Sequence, residues 1–385
     1  MIVLALSSGT SVDAIDVAAA EFTLTDSTVW MTPLEHHETA LSDEVRDTVL
    51  GALPPASTTL EQVCRIDTLL GQEFAAAARA SGTPAELVVS HGQTLFHWVE
   101  EDTVRGTLQL GQPAWIAEST GLPVVSDVRV NDVAAGGQGA PLAAVLDGLL
   151  LGARPGPAAA LNLGGIANAT VAGGGGQEVA FDTGPGNSLL DAAMRRSGVG
   201  EIDDGGALAA RGRVRSELLG VLCSHGYFDR SPPKSTGKEL FHRDYLERSL
   251  RAAGAGELPL QDQLATLVEF TARTVTEALR PYGVGEVFVS GGGSRNATLM
   301  RRIGALLDPA TVRPSEALGI DPAAKEAYLF ALLGFFTWNG VAAPRPTWTG
   351  ARHATVAGRL TPGHEALRLP EPATVRPSRL YITTA

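Results

Sequence analysis

Two widely separated segments of the chain share one pattern, in which a short apolar strand runs into a polar, glycine-containing turn and a second strand. The first segment includes Leu6 to Ser11, and the second includes Leu161 to Asn168. This repetition indicates a weak internal duplication, so we expect two related domains whose turns face one cleft. Around both segments, short strand-like runs alternate with longer helical patterns, which predicts an α/β fold.

A glycine-rich segment at residues 134–141 is flexible enough to be a hinge or a domain junction. We therefore place the first domain at residues 1–131, together with a C-terminal segment at about 338–385, and the second domain at residues 132–337. In the second domain, a predicted hairpin crosses Gly173 to Gly176. The strand-like run Glu178 to Phe181 then leads into a helix that begins near residue 187.

The composition excludes several classes of protein. Hydrophobic residues make up 44% of the chain and charged residues 19%, as in ordinary soluble proteins. A net charge of −12, with no basic cluster between aromatic residues, argues against a nucleic-acid partner. No apolar run reaches membrane-spanning length, the N-terminus lacks the features of a signal peptide, and the two cysteines are far apart in sequence. We expect a cytoplasmic protein with no membrane partner.

The stretch Phe181 to Ser188 places one carboxylate, Asp182, beside two glycines at a predicted strand-to-helix turn. Such turns let backbone amides approach an anion, and the helix N-terminus adds its positive dipole end. A carboxylate there repels phosphate unless it handles a proton, a metal or a substrate hydroxyl. The stretch therefore indicates chemistry on a phosphorylated species. The alternative is an aspartate that only caps the helix or the turn.

The familiar nucleotide and hydrolase motifs are missing. The chain has no GxxxxGK(S/T), HExxH, paired CxxC or GxSxG motif, and its nearest approach to GxGxxG fails at the last position. What remains is a set of glycine turns at residues 9, 164–165, 184–186 and 291–293. Each of them ends a predicted strand or begins a helix, and ligands of α/β proteins bind where such ends converge.

Several segments resemble the anhydro-N-acetylmuramic acid kinase family, which belongs to the superfamily of actin, sugar kinases and heat-shock chaperones. The resemblance runs in order from about residue 6 to about residue 363. Val12 and Ala14 stand where the family commonly has Met and Gly, and the tail from His364 lies outside the pattern. The segments are Ser8 to Asp16, His91 to Thr94, Ala135 to Leu142, Asn162 to Asn168, Phe181 to Asn187, and Pro232 to Gly237.

The resemblance implies two actin-like ATPase domains that flank a nucleotide cleft, with ATP and Mg²⁺ as cofactors. It also implies a reaction of cell-wall recycling, in which water opens the anhydro bridge of the sugar while ATP phosphorylates the released 6-oxygen. The product is N-acetylmuramic acid 6-phosphate. In this reaction Asp182 would be the general base that takes a proton from the attacking water. The partner is a small sugar, and the family resemblance implies a homodimer.

The resemblance also implies the residues that bind ATP, although each turn has a plain structural alternative as a hairpin turn or the start of a helix. Asp13 would orient the sugar or hold Mg²⁺ through water, and the metal ligands stay open. The implied ATP-binding residues are Gly9, Thr10, Ser11, Val12, Asp13, Ala14, Ile15 and Asp16 in the first turn, Asn162, Gly164, Gly165 and Asn168 in the second, Gly184, Gly186 and Asn187 after Asp182, and Gly291, Gly292 and Gly293 for adenosine.

Five residues are candidates for binding the sugar, namely His91, Gln93, Asp127, Arg129 and Lys234. Arg129 suits the lactyl carboxylate of a muramic sugar, because guanidinium binds carboxylates at two points. The alternatives are that Asp127 and Arg129 pair with other residues at the strand end, that His91 is structural, and that Lys234 is a solvated loop lysine. Two rival functions also stay open: a kinase of another anhydro sugar such as levoglucosan, which has no carboxylate, and a nucleotide-gated switch without kinase activity.

Overall fold

The protein is described by a computed structural model that covers residues 1–9, 11–101, 103–237 and 240–384. Its strands are β1 Ile2–Ser8, β2 Ala14–Thr25, β3 Thr28–Ala40, β4 Leu87–Glu100, β5 Thr103–Leu110, β6 Val124–Ser126, β7 Ala158–Leu163, β8 Ile166–Ala172, β9 Val179–Pro185, β10 Glu286–Ser290, β11 Thr311–Pro314, β12 Arg359–Thr361 and β13 Arg379–Ile382. Its helices are α1 Asp43–Leu50, α2 Leu60–Ser81, α3 Pro113–Thr120, α4 Val130–Ala134, α5 Ala143–Gly152, α6 Ser188–Ser197, α7 Ser216–Cys223, α8 Arg243–Ala252, α9 Leu260–Leu279, α10 Ala297–Leu307, α11 Lys325–Trp338 and α12 Pro346–Thr349.

The chain divides into two compact units. The first unit contains Met1–Ala153 and Ala323–Ala385, and the second contains Arg154–Pro322. Helices α5 and α11 therefore belong to the first unit, whereas the predicted domain boundaries, after residue 131 and before residue 338, assign them to the second domain. The domain boundaries stay a prediction, and each unit is described by itself.

The first unit is built on a mixed sheet with the strand order β12-β6-β4-β1-β2-β3-β13, and β5 lies off this path and pairs with β4. The predicted hairpin of β1 and β2 is confirmed, since these strands pair antiparallel, and β2 pairs antiparallel with β3. On its other side β1 pairs parallel with β4, and β4 pairs parallel with β6. The proline-containing tail contributes β13, which pairs parallel with β3.

The second unit repeats this connectivity in a five-stranded sheet with the order β11-β10-β7-β8-β9. Strand β7 pairs antiparallel with β8 and parallel with β10, and β8 pairs antiparallel with β9. Strands β7, β8, β9, β10 and β11 thus occupy the places that β1, β2, β3, β4 and β6 occupy in the first unit. The α/β fold class is confirmed, and the shared topology is the structural counterpart of the duplication seen in the sequence.

Each unit has its own apolar core, formed by one sheet and the helices on it. In the first unit, α2 begins with a capping box of Thr59 and Gln62 and buries Ile66, Leu70 and Phe74 against the sheet. In the second unit, β7 supplies the buried run Ala158–Leu163, and α9 is buried along most of its length. No helix among the described residues is both long and apolar enough to cross a membrane.

Candidate active site

A row of polar residues crosses the sheet of the second unit near the glycine turns. Ser290 on β10 pairs with Asn162 on β7, Asn162 pairs with Asn168 on β8, and Asn168 pairs with Asp182 on β9. Directly paired residues of neighbouring strands present their side chains on one face of a sheet. The topology therefore gathers Asp182, Asn162 and Asn168, three of the predicted site residues, on the same face.

Asp182 lies inside β9, because this strand continues past the predicted end at Phe181 to Pro185. Its N–H donates to the carbonyl of Lys234 at 2.9 Å, and its own carbonyl accepts the hydroxyl of Tyr227 at 2.7 Å. One carboxylate oxygen, Oδ2, accepts the N–H of Thr236 at 2.9 Å. The carboxylate is partly exposed and is held in a defined direction. Asp182 is not the N-cap of α6, since Asn187 occupies that position.

The glycine turn after β7 is joined directly to the start of α6. The N–H of Asn187 donates to the carbonyl of Gly164 at 2.8 Å, and those of Gly186 and Ser188 donate to the carbonyl of Gly165 at 2.9 and 3.0 Å. These three amides are engaged by protein carbonyls, whereas the sequence suggested amides directed at an anion. Their role in the structure is to fix the turn on the helix.

The glycine turn at residues 291–293 lies against the end of β7. Gly291 has a φ of 83°, and a Cβ there would meet the carbonyl carbon of Leu163 at 2.9 Å. At Gly293 a Cβ would meet the Leu163 side chain at 2.7 Å. Only glycine permits this approach. The glycine turns at residues 164–165 and 291–293, predicted separately from sequence, thus meet at one strand end.

An open pocket of about 660 Å³ begins at these turns, and this volume is in the range of small-molecule sites. Its walls include Gly164, Gly165, Asn187 and Gly292 from the predicted ATP-binding set. Gly184 lies elsewhere, because it is buried with a φ of 142° and a Cβ would meet the ring of Phe228 at 2.9 Å.

The pocket also contains charged residues that were not predicted from the sequence, for example Asp191, Arg195, Arg196 and Arg243. Arg195 lies 3.5 Å from Glu201, Arg196 donates to Gln263 at 2.8 Å, and Arg243 donates to Glu247 at 2.6 Å. The adjacent arginines at the end of α6 were a usable signal, because this helix begins at a predicted ligand turn. The sequence contains no such signal for Arg243, because this residue begins a helix far along the chain.

In the first unit, the turn between β1 and β2 is closed by local hydrogen bonds. The Oγ of Ser11 donates to Oδ1 of Asp13 at 2.6 Å, and this bond lowers the pKa of Asp13. Val12, which has a φ of 56°, and Ile15 are core side chains, so they can serve a ligand only through their backbone. Ala14 and Asp16 are partly exposed, Gly9 is exposed, and Thr10 lies outside the described residues.

The duplication also brings acidic groups into register in the first unit. Ser7 pairs with Asp16, and Asp16 pairs with Glu38, as Asn162 pairs with Asn168 and Asn168 with Asp182. Glu38 is therefore the topological equivalent of Asp182. Nε2 of His36 lies 3.4 Å from Oδ1 of Asp16. The sequence pattern does not reveal this row, because β3 was not predicted.

His91 and Arg129, two predicted sugar-binding residues, are in contact. Nη2 of Arg129 lies 3.3 Å from Nε2 of His91, and Nη1 donates to the carbonyl of Gly139 at 2.9 Å. The His91 ring is buried and stacks on Phe330 with centroids 4.2 Å apart. Burial, and then the charge of Arg129, hold the pKa of His91 well below its usual range. The ring is neutral, and since guanidinium only donates, Nε2 accepts and Nδ1 carries the hydrogen.

Three buried polar atoms in this region lack a partner within the described part of the chain. They are Nδ1 of His91, Nε of Arg129 and Oε1 of Gln93. Buried polar atoms are nearly always hydrogen-bonded, so this group of donors and an acceptor is suited to a polar ligand. In contrast, Asp127 forms an ion pair with Arg359, which is the structural alternative that the sequence left open.

Lys234 places its Nζ 4.9 Å above the ring of Tyr227 and 3.3 Å from the carbonyl of Phe228, so its ammonium is held by its own loop. Glu326, at the start of α11, was not predicted. Its pKa is raised mainly by desolvation and in part by Asp16, while Arg129 acts in the opposite direction. No group of three or more metal-binding side chains occurs among the residues that the structure describes.

Comparison with known proteins gives a consistent family. The family model described as anhydro-N-acetylmuramic acid kinase matches residues 1–363. A protein of that name from Streptomyces coelicolor is 53% identical over 99% of this chain and 99% of its own length, and one from Streptomyces avermitilis is 51% identical over 99% of this chain and 100% of its own. A ROK family glucokinase structure from Streptomyces griseus, in complex with glucose and AMPPNP, covers 87% of this chain and 99% of its own at 14% identity, with a TM-score of 0.36.

Proposed function

The chain belongs to the anhydro-N-acetylmuramic acid kinase family, and we propose that it converts 1,6-anhydro-N-acetylmuramic acid and ATP to N-acetylmuramic acid 6-phosphate and ADP. The oxygen of water bonds to the anomeric carbon, and the bond from that carbon to the bridge oxygen breaks. The freed 6-oxygen bonds to the γ-phosphorus, and the bond from that phosphorus to the ADP oxygen breaks. The water gives up one of its two protons, and the other stays on the new anomeric hydroxyl.

We assign the role of proton acceptor to Asp182. The observation that carries this assignment is the way the structure holds this residue. Its backbone N–H, its backbone carbonyl and one carboxylate oxygen are all hydrogen-bonded to residues within 227–236. A general base must keep a fixed direction toward the proton that it removes, and such a support provides it. The helix-capping alternative does not apply, because Asn187, not Asp182, is the N-cap of α6.

For ATP, the proposal rests on the pocket formed by Gly164, Gly165, Asn187 and Gly292 in the second unit. The first turn, Gly9 to Asp16, enters the proposal through its family pattern. Mg²⁺ is also proposed; it prefers few carboxylates and keeps several waters, which agrees with ligands drawn mainly from phosphate oxygens. When bound, it would neutralise phosphate charge, and Asp13 is suited to hold it through water.

For the sugar, the proposal rests on the three unpartnered atoms of His91, Gln93 and Arg129. Nε of Arg129 is suited to the lactyl carboxylate, Nδ1 of His91 can donate to an oxygen, and Oε1 of Gln93 can accept a hydroxyl or amide hydrogen. Asp127 and Lys234 stay in the proposed set, although Asp127 already pairs with Arg359 and Lys234 with its loop.

The test is mass spectrometry of the product formed from 1,6-anhydro-N-acetylmuramic acid, ATP and magnesium in water labelled with oxygen-18. One added phosphate and one labelled water oxygen support the coupled reaction. Phosphate without water would indicate a conventional sugar kinase, and no product would overturn the proposed substrate. An Asp182→Asn variant that turns over at the normal rate would overturn the role of Asp182.

Dependence on ATP is our reason for proposing a cytoplasmic location, and a homodimer stays a prediction.

A further inference from the structure

Strand β9 is the last strand on its side of the five-stranded sheet, so within the described part of the chain the outer backbone groups of this strand have no neighbouring strand to bond. At Asp182, a segment within residues 227–236 lies where a neighbouring strand would lie. The carbonyl of Lys234 accepts the Asp182 N–H, and the Tyr227 hydroxyl donates to the Asp182 carbonyl. We call Tyr227, Lys234 and Thr236 the clasp.

Tyr227 is the most deeply buried member of the clasp. Its side chain is only 2% exposed, and its ring packs edge-on against Phe228 and Phe241, with centroids 5.7 Å away in both cases. The Lys234 ammonium lies over the ring at 4.9 Å. Burial, and then the charge of Asp182, raise the pKa of Tyr227, so its hydroxyl keeps the proton that it donates.

We infer that Tyr227 is a positioning residue for the reaction, acting only through Asp182. Its hydroxyl fixes the peptide carbonyl of Asp182 from outside the sheet, while Thr236 fixes one carboxylate oxygen. Together they set the direction of the carboxylate. Small losses of alignment at a reacting centre have large effects on rate, which gives this contact a catalytic consequence beyond stability. The inference rests on the proposed role of Asp182.

The chain offers a matched control. Tyr245 is also buried, packs against the same Phe241, and donates its hydroxyl to a backbone carbonyl, that of Leu222, at the same 2.7 Å. Tyr227→Phe and Tyr245→Phe therefore remove the same kind of hydrogen bond within one unit. We expect similar decreases of the thermal midpoint in both variants, which also shows that both are folded.

The rates should separate the two variants. Tyr227→Phe is expected to lower kcat about tenfold to a hundredfold with an unchanged KM for ATP, whereas Tyr245→Phe keeps the wild-type kcat. The same substitution placed in Asp182→Asn protein should cause no further loss, because there is no base left to position. Two results would overturn the inference. One is an equal loss of kcat in the two tyrosine variants, and the other is that Tyr227→Phe lowers kcat equally in wild-type and in Asp182→Asn protein.

These outcomes also separate the inference from the proposed function. If Asp182→Asn keeps normal turnover, the assignment of the base has failed, and the positioning role fails with it. If Asp182→Asn has a strongly reduced kcat but Tyr227→Phe retains the full kcat, the assignment of the base stands and only the positioning role is wrong.

Discussion

Substitution of Gly186 by Ala tests whether the close fit between α6 and the glycine turn supports nucleotide binding. An added Cβ would overlap the carbonyl oxygen of Gly164 and lie 3.3 Å from both the carbonyl carbon of Gly164 and the nitrogen of Ala167. All three atoms are backbone, so no flexible side chain can move aside. Restoring an ordinary contact requires the start of α6 or the turn to shift on the order of 1 Å.

That shift strains the three hydrogen bonds of 2.8–3.0 Å that join residues 186–188 to Gly164 and Gly165. Overpacking of this kind costs about 1–3 kcal/mol of folding free energy. Because Gly164, Gly165 and Asn187 line the proposed ATP pocket, displacement by this amount should also lower kcat/KM for ATP, by about a hundredfold at most.

The assay is steady-state kinetics with ATP as the varied substrate, together with thermal unfolding. Gly220→Ala is the matched control, since Gly220 lies inside α7 and an added Cβ there meets no described atom within 4 Å. The control should be stabilised by up to about 1 kcal/mol, as alanine favours helix, with unchanged kinetics. A Gly186→Ala enzyme with the wild-type kcat/KM for ATP would refute the link between this contact and the nucleotide site.

Three further predictions follow from the geometry of the two units. His91 stays neutral in the native protein while its unfolded form takes a proton below pH 6.5, so stability should fall as the pH drops below that value, by at most about 1.4 kcal/mol per pH unit. The free energy of unfolding, measured with urea between pH 7.5 and pH 5, should change less with pH for His91→Gln than for wild type or for the exposed-site control His364→Gln. Equal pH dependence in all three proteins would contradict the buried neutral ring. Arg129→Met should raise the KM for 1,6-anhydro-N-acetylmuramic acid about tenfold or more while sparing the KM for ATP, since a charge-assisted hydrogen bond to the carboxylate is lost; an unchanged sugar KM would argue against this contact. Arg243→Ala should raise the KM for ATP, more strongly at low salt, because an exposed cation at the pocket is screened by ions; equal KM values at low salt would exclude its participation.

The strongest local signals gave most of the fold. The apolar patterns of residues 60–80 and 261–280 predict helices, and the structure has α2 and α9 there. The apolar runs at 158–163 and 286–290 predict strands, which are β7 and β10. These predictions succeed because such patterns are properties of a few neighbouring residues. Strand β3 was missed since it contains Pro33 and many polar residues and lies toward one side of its sheet. Strand β13 was missed because its short run becomes a strand only by pairing with β3.

The sequence by itself determined the α/β class, the duplicated strand-turn-strand pattern, the family, and the identity of Asp182 and the glycine turns as site candidates. Only the tertiary structure decided which partners these residues have. Tyr227 reaches Asp182 across 45 positions of the chain, and Arg359 reaches Asp127 across 232. The amides at the start of α6 are engaged by a turn from another strand end. Local sequence patterns encode how a segment forms its own backbone hydrogen bonds and which of its faces is apolar and buried. Contacts between distant segments depend on how the whole chain packs.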